Sequence, residues 1–198
     1  NGHEAVFNVS VNQGATWRDA DQRVSTNFSP GSIDGDMKLA LARSAGDQYV
    51  FVLFANRNFD NGDFYVTVSS DRGENFGAPI NLALIYSPPS GMPLSYGHIL
   101  LTVPGGKAYA VWHDDSEGGG LGLNSVYLRA TTNGGASWAA KKKLNIVDLS
   151  AQVERATEVT ACADVHRRVH VAWKDKRHPT PMNSGSYPGR ILFRSSAD

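Results

Sequence analysis

Cysteine is all but missing from this sequence: Cys162 is the only one among 198 residues. A single thiol excludes an internal disulfide framework and any cysteine-built zinc cage. Its setting, Val159-Thr160-Ala161-Cys162-Ala163, reads as a strand interior, where a free cysteine is expected as a small core residue. Net charge is missing as well, because 19 Lys plus Arg stand against 19 Asp plus Glu. That balance argues against a nucleic-acid binder, which shows a basic excess. No apolar run approaches the ~18 residues of a membrane-spanning helix. No leader-type segment is read at Asn1-Gly2-His3-Glu4, so a mature product or an excerpt from something longer is expected. Helical periodicity is scarce too, and only Asp148 to Arg155 carries it weakly.

What the chain does hold is short apolar runs punctuated by 20 Gly and 9 Pro. At 41% hydrophobic and 19% charged it is neither a disordered chain nor a coiled coil. The runs alternate or are rich in Val, Tyr, Phe and Leu, which predicts strands. They are Glu4 to Val11, Met37 to Ala42, Tyr49 to Phe54, Phe64 to Val68, His98 to Val103, Ala108 to Trp112, Ser125 to Ala130, Glu158 to Cys162, Val169 to Trp173 and Arg190 to Arg194. Strands joined by turn chemistry indicate an all-β protein.

An internal repeat organises these runs. Ser10-Val11-Asn12-Gln13-Gly14-Ala15-Thr16-Trp17 is one copy of an octapeptide. Ser69-Ser70-Asp71-Arg72-Gly73-Glu74-Asn75-Phe76 is the second, and Thr131-Thr132-Asn133-Gly134-Gly135-Ala136-Ser137-Trp138 the third. Ser196-Ala197-Asp198 matches the first three positions of a fourth. First positions fall at 10, 69, 131 and 196, so the steps are 59, 62 and 65 residues. A second landmark keeps this period: Phe51 to Asn56 matches Tyr109 to Asp114 and His170 to Asp175. Each unit therefore reads strand, turn, strand ending in aromatic-x-Asp/Asn, loop, strand, octapeptide, strand. Four strands in about 60 residues is the size of a propeller blade with generous loops.

The octapeptide explains itself physically. Asp or Asn at its third position can bond backbone amides further on and close a turn. Gly at the fifth supplies a positive φ. Ser or Thr at the first adds a local hydroxyl bond, and the trailing aromatic can bury its ring against the hairpin. Ser10, Asn12, Gly14 and Trp17 fill these roles in the first copy, Ser69, Asp71, Gly73 and Phe76 in the second, and Thr131, Asn133, Gly135 and Trp138 in the third. Asn12 and Asn133 in place of Asp favour hydrogen bonding over charge-dependent metal binding. Trp17, Phe76 and Trp138 are expected to be largely buried.

These octapeptides resemble the Asp-box, or BNR repeat, of the sialidase superfamily. Trp112-His113-Asp114 and Trp173-Lys174-Asp175 resemble the Trp-x-Asp strand end of BNR-repeat propellers. The resemblance runs along residues 1–198 as one region and implies a β-propeller of four-stranded antiparallel blades, with the Asp-boxes at the periphery, away from the central pocket. About three blade periods are present, against six in a sialidase ring, so the chain is expected to be part of a larger propeller or to assemble into one. Pairing of the amino-terminal strand with a carboxyl-terminal one, within or between chains, is one way to complete it.

The resemblance also sets a test for activity. Sialidases of this kind hold the substrate carboxylate with three arginines and use a Tyr nucleophile assisted by Glu, with an Asp as general acid/base. Their Phe/Tyr-Arg-Ile-Pro motif is absent here. Pro188-Gly189-Arg190-Ile191-Leu192 is the nearest string, at the wrong end and without the proline. Arg57, Arg155, Arg177, Tyr96, Tyr187 and Glu158 lie in no diagnostic context, so no catalytic residue is assigned.

Three loops at equivalent places follow the aromatic-x-Asp/Asn strand ends: Asn56 to Asn61, His113 to Glu117 and Lys174 to His178. Such rims carry function on a rigid scaffold, and their charges, amides and aromatic suit hydroxyl-rich ligands. Arg57, Asp114, Asp115, Asp175 and Arg177 are the ligand-binding candidates, beside the alternative that these are solvated loops. No cofactor and no metal site are assigned. Asp34-Gly35-Asp36 has calcium-loop flavour but lacks the full ligand pattern, and Asp-Gly is ordinary turn chemistry. His3, His98, His166, His170 and His178 show no zinc-ligand spacing. Gly118 to Gly122 lacks the Lys-Ser/Thr ending of a phosphate loop. Lys141-Lys142-Lys143 reads as a solvated edge. Asn8-Val9-Ser10 and Asn27-Phe28-Ser29 are glycosylation-type triplets that matter only in a eukaryotic secretory setting.

The expected function is a non-catalytic, secreted or extracytoplasmic BNR-type module that binds a glycan or protein ligand or serves assembly, without nucleic acid and without a membrane span. A segment of a sialidase or other glycoside hydrolase, and a structural subunit of a surface assembly, are the alternatives.

Overall fold

A computed structural model describes residues 4–26, 37–44, 47–56, 63–83, 95–114, 125–145, 156–175 and 190–196. Asp148 to Arg155, Asp34 to Asp36, Asn27 to Ser29 and Gly118 to Gly122 lie outside them. The described residues form β-strands, all paired antiparallel. β1 (Val6–Phe7) pairs with β2 (Gln22–Arg23). β3 (Met37–Ser44), β4 (Asp47–Asn56), β5 (Asp63–Ser69) and β6 (Ile80–Asn81) make a four-stranded sheet in sequence order. β7 (Ser95–Val103), β8 (Lys107–Asp114), β9 (Ser125–Thr131) and β10 (Lys142–Lys143) make a second, and β11 (Ala156–Ala163), β12 (Val169–Asp175) and β13 (Arg190–Ser195) a three-stranded one.

Nine of the ten predicted strands form, each at least as long as the run that signals it, while the strands that follow the octapeptides, β2, β6 and β10, are only two residues long. The exception is Glu4 to Val11, which shrinks to Val6–Phe7. Local side-chain bonds claim the rest of it: the Asn8 carbonyl oxygen accepts from Val9 N–H at 2.7 Å, and Ser10 Oγ accepts from Gly14 N–H at 2.8 Å. β1 pairs with β2 and β13 with β12, so within the chain β1 and β13 do not pair.

Period-two alternation gives each sheet two apolar faces, and the sheets stack through them. Phe51, Leu53, Phe64 and Val66 meet Ala108, Ala110, Trp112 and Tyr127 in one core. The opposite face of the second sheet brings Val111, Val126 and Leu144 onto Val159, Val169, Val171 and Trp173. Val50, Val52 and Phe54 are covered by Ala5 and Val24. The first strands β3, β7 and β11 approach one another most closely between sheets, and the Thr102 hydroxyl donates to the Leu41 carbonyl across the β3–β7 junction.

The octapeptides join the third strand of a sheet to the fourth, and all three close the same way. The first-position hydroxyl donates to the third-position oxygen at 2.9, 2.7 and 2.9 Å and accepts the fifth-position glycine N–H at 2.8, 2.7 and 3.0 Å. The third-position oxygen accepts the seventh N–H at 2.8, 2.8 and 3.1 Å. That glycine has φ 87°, 88° and 87°, the left-handed region where a side chain is strained. Positions three and seven exchange chemistry as a pair. Asp71 accepts from the Asn75 amide at 2.8 Å, whereas the Asn12 and Asn133 amides donate to Thr16 and Ser137 hydroxyls at 2.8 and 2.9 Å. The Ser69 hydroxyl first, then Asn75, hold the Asp71 carboxyl well below the usual carboxylate range.

The aromatic position departs from expectation. Trp17 is 60% exposed, and Phe76 and Trp138 are half-buried. The ring is covered by the preceding sheet rather than by its own hairpin. Phe76 meets Phe7 edge-on at 5.0 Å, and Trp138 meets Phe51 at 6.4 Å. No described strand precedes β1, so Trp17 has no such sheet to lie on. Cys162 is also corrected: it lies in β11 as predicted but is exposed, because its side of the strand faces away from the core that takes Val159 and Ala161.

Candidate functional site

Antiparallel alternation puts all octapeptide turns at one end of the sheets. The opposite end collects the ends of β4, β8 and β12 and the starts of β5, β9 and β13. In register there, Asn56 faces Asp63, Asp114 lies between Ser95 and Ser125, and Asp175 lies between Ala156 and Arg190. Asp114 and Asp175 therefore occupy the same position in successive sheets. Of the other candidates, Arg57, Asp115 and Arg177 lie outside the described residues.

Both described aspartates are interior rather than on a solvated rim. Asp114 is 0% exposed and Asp175 is 5% exposed. Trp112 Nε1 donates to Asp114 Oδ2 at 2.6 Å, and Lys141 Nζ stands 3.8 Å from the same oxygen. A buried carboxylate needs such donors. Lys141 Nζ also lies 4.1 Å from the centroid of the Tyr127 ring, a cation–π contact. The reading of Lys141 as a solvated edge is thus corrected: its stem lies along the sheet and carries the ammonium inward to Asp114. The equivalent Trp173 Nε1 is buried without a hydrogen-bond partner among the described residues, so the two Trp-x-Asp strand ends are not equivalent in bonding.

The same end shows a shared irregularity. β7 breaks register between Tyr96 and Ile99, against His113 and Val111 of β8. β11 breaks it between Thr157 and Thr160, against Lys174 and Ala172 of β12, the equivalent pair. Glu158 sits in the second break with φ 53°, exposed, and its Oε1 is 3.1 Å from Lys174 Nζ. At the corresponding end of the first four-stranded sheet, Asn81 Nδ2 donates to Asp63 Oδ2 at 2.9 Å. Burial first, then the Asp63 charge, raise the Tyr65 phenol above its ordinary value, against the Asn81 hydrogen bond. Among the described residues no group of three or more His, Cys, Asp and Glu is placed to hold a metal ion, and no helix is long and apolar enough to cross a membrane.

At the turn end the sequence reading missed a polar chain. Asp164 Oδ1 accepts the His166 and Arg168 N–H groups at 2.8 and 2.9 Å, and its Oδ2 takes Arg168 Nε at 2.7 Å and faces His170 Nε2 at 3.1 Å. His170 Nδ1 meets Ser195 Oγ at 2.9 Å, and its ring stacks on Phe193. This ties the β11–β12 hairpin to β13. Desolvation pushes the Asp164 carboxyl up, but the Arg168 backbone and side-chain bonds outweigh it and leave it well below the usual range. The available signal was Asp164 opening a tight Asp-x-His-x-Arg turn between two strands.

No protein-family model matches the chain, and no curated protein matches it. Among solved structures it is similar to the GH93 α-L-arabinofuranosidase of Fusarium graminearum in complex with arabinobiose, at 15% identity and TM-score 0.63, over 98% of this chain and 54% of that one. It is similar to Penicillium chrysogenum α-L-arabinanase complexed with arabinobiose, at 13% identity and TM-score 0.64, over 100% of this chain and 56% of that one. A Hadza microbial sialidase aligns at 13% identity and TM-score 0.50, over 98% of this chain and 38% of that one. The chain spans about half the length of the first two structures. At these identities the likeness shows the fold alone, a sialidase-like propeller fold.

Proposed function

We propose that the chain is a carbohydrate-binding propeller unit, its octapeptides being Asp-boxes of the BNR type, and that it recognises glycans at the end of the sheets opposite those turns. The observation that carries this is the register break repeated in β7 and β11 beside the strand ends that hold Asp114 and Asp175. Bulges re-aim side chains and collect next to binding sites. Glu158 in a left-handed conformation is the kind of local strain that clusters there. Asp114 and Asp175 anchor the base of the site, and Arg57 and Asp115, next in sequence after the ends of β4 and β8, and Arg177, two residues after Asp175, are the ligand contacts. At the turn end the first- and third-position side chains of each octapeptide are held by bonds within their own turn. A secreted protein fits this role.

Binding without turnover is the first reading, since no arginine set matches a sialidase. Hydrolysis of an arabinose-containing glycan is the second, favoured by the arabinofuranosidase and arabinanase neighbours. Calorimetric titration with arabinobiose, linear arabinan and sialyllactose, beside a reducing-sugar assay on arabinan, separates them. Heat of binding without sugar release is expected. Sugar release moves the assignment to the second reading, and absence of any binding to these sugars or on a glycan array overturns both.

A further inference from the structure

Opposite the octapeptide turns, one contact recurs where successive sheets meet. The aromatic two residues before the end of β4, β8 or β12 lies on the preceding strand pair or sheet: Phe54 on Ala5 and Val24, Trp112 on Phe64 and Leu82, Trp173 on Val126 and Leu144. Val24, Leu82 and Leu144 donate their N–H groups to the Ala5, Phe64 and Val126 carbonyls at 2.8, 3.0 and 2.7 Å, which puts the next residues, Ser25, Ala83 and Asn145, in equivalent places. The junction at Trp173 is filled differently from the one at Trp112. Phe64 lies edge-on to Trp112 at 4.7 Å and Ala83 adds hydrocarbon, while the Trp112 indole N–H is taken by Asp114. At Trp173, Val126 and Asn145 replace Phe64 and Ala83, so a ring is lost and an amide gained. Asn145 Oδ1 accepts the Val126 N–H at 2.8 Å, as Ser25 Oγ accepts the Ala5 N–H at 3.3 Å. Among the described residues Asn145 Nδ2 has no hydrogen-bond partner, although Asn145 is 5% exposed. Trp173 Nε1 has none among them either, in a residue 3% exposed. Asp175, 5% exposed, lies two residues on along the same buried face of β12. Buried donors are paired in native structures, so two open ones beside a buried carboxylate call for a bound partner.

We infer that this junction is a binding seat for a vicinal diol, the hydroxyl pair of a sugar, with Trp173 Nε1 and Asn145 Nδ2 donating to its oxygens and Asp175 accepting a hydroxyl proton. A hydroxyl both donates and accepts, so two N–H donors and one carboxylate match two neighbouring hydroxyls. An anion would be repelled by Asp175, and a cation would face two N–H groups. The seat rests on the glycan reading for its ligand class and deepens it, because it lies at the same end of the sheets but between two of them.

The probes are glycerol, which carries a vicinal diol, and propan-1-ol, which carries one hydroxyl. The chain has four tryptophans, so their indole N–H signals are resolved by proton–nitrogen correlation spectroscopy, and Trp173→Phe identifies the one that matters. Glycerol is expected to move the Trp173 signal saturably and leave the Trp112 signal, already bonded to Asp114, in place. Propan-1-ol should move neither. Asn145→Ser keeps an acceptor for the Val126 N–H, as Ser25 does for Ala5, but removes the amide donor. It should weaken glycerol binding about fivefold, the size of one neutral hydrogen bond. The titration of the unaltered chain decides by itself if that variant fails to fold. A Trp173 signal indifferent to glycerol means that ordered water alone sits there and overturns the inference, as does an equal response to propan-1-ol. An indifferent signal together with heat in the glycan titration overturns the seat and leaves the glycan reading standing. A saturable glycerol shift with no glycan heat supports the seat and sinks that reading.

Discussion

Replacing Gly135 by Ala separates two costs that usually arrive together. Gly135 has φ 87°, and a Cβ built on it would lie 2.6 Å from Val68 Cγ2 and 3.1 Å from Phe51 Cε1 of the neighbouring sheet. Gly105, in the β7–β8 turn of the same sheet, has φ 98° with nothing within 4 Å of such a Cβ. Both substitutions incur the left-handed penalty of an L-residue, about 1–2 kcal/mol. Only Gly135→Ala must also push two core side chains apart, an overpacking cost of about 1–3 kcal/mol. The expected totals are therefore about 1–2 kcal/mol for Gly105→Ala and about 2–5 kcal/mol for Gly135→Ala. For a chain of this size each kcal/mol lowers the melting temperature by about 2–4 °C. Urea and thermal unfolding followed by tryptophan fluorescence measure both, and the difference of about 1–3 kcal/mol should persist in each. Equal destabilisation by the two would refute the claim that Gly135 is required by the neighbouring sheet as well as by its own turn.

Trp112→Phe keeps the ring but removes the donor to the buried Asp114 carboxylate; a loss of about 1–3 kcal/mol in urea unfolding is expected, and a neutral result would mean that this bond does not hold the strand end. Asp71 contributes to stability through a depressed carboxyl, so its contribution is complete above the unfolded carboxylate range near pH 4 and fades as the pH falls through the lower folded value. Asp71→Asn should accordingly flatten the acid limb of a stability-against-pH curve, and an unchanged limb would contradict the Ser69 and Asn75 bonds. Cys162 is expected to react fully with Ellman's reagent in the folded protein, whereas a thiol that reacts only in denaturant would place it back in the core.

Much of this architecture was legible because it is local or periodic. Alternation along Tyr49 to Phe54 and Ala108 to Trp112 dictates two apolar faces, which makes stacked sheets the way to bury both. The octapeptide is legible for the same reason, since a hydroxyl two residues before Asp or Asn and a glycine two after it can close their bonds without any other part of the chain. The paired choice of Asp71 with Asn75, and of Asn12 or Asn133 with Thr16 or Ser137, is written in those residues alone. The three two-residue outer strands were anticipated by the unit pattern, but two residues carry too little alternation to be located.

Tertiary structure alone decided what depends on a neighbouring sheet. Trp17 and Trp138 occupy the same motif position, yet one is exposed and the other packs on Phe51, because among the described residues only the second has a sheet in front of it. Cys162 reads as core from its apolar neighbours, but which face of β11 is covered is set by what stacks on it. Lys141 belongs to a basic triplet in sequence and to a buried Asp114 in space, a pairing across two strands that no local pattern encodes. The candidate site divides along the same line. That Asp114 and Asp175 end equivalent strands follows from the repeat alone, since a repeat preserves register. Their burial, and the matching breaks in β7 and β11, arise from how adjacent strands and sheets meet, and that is settled only when the chain is folded.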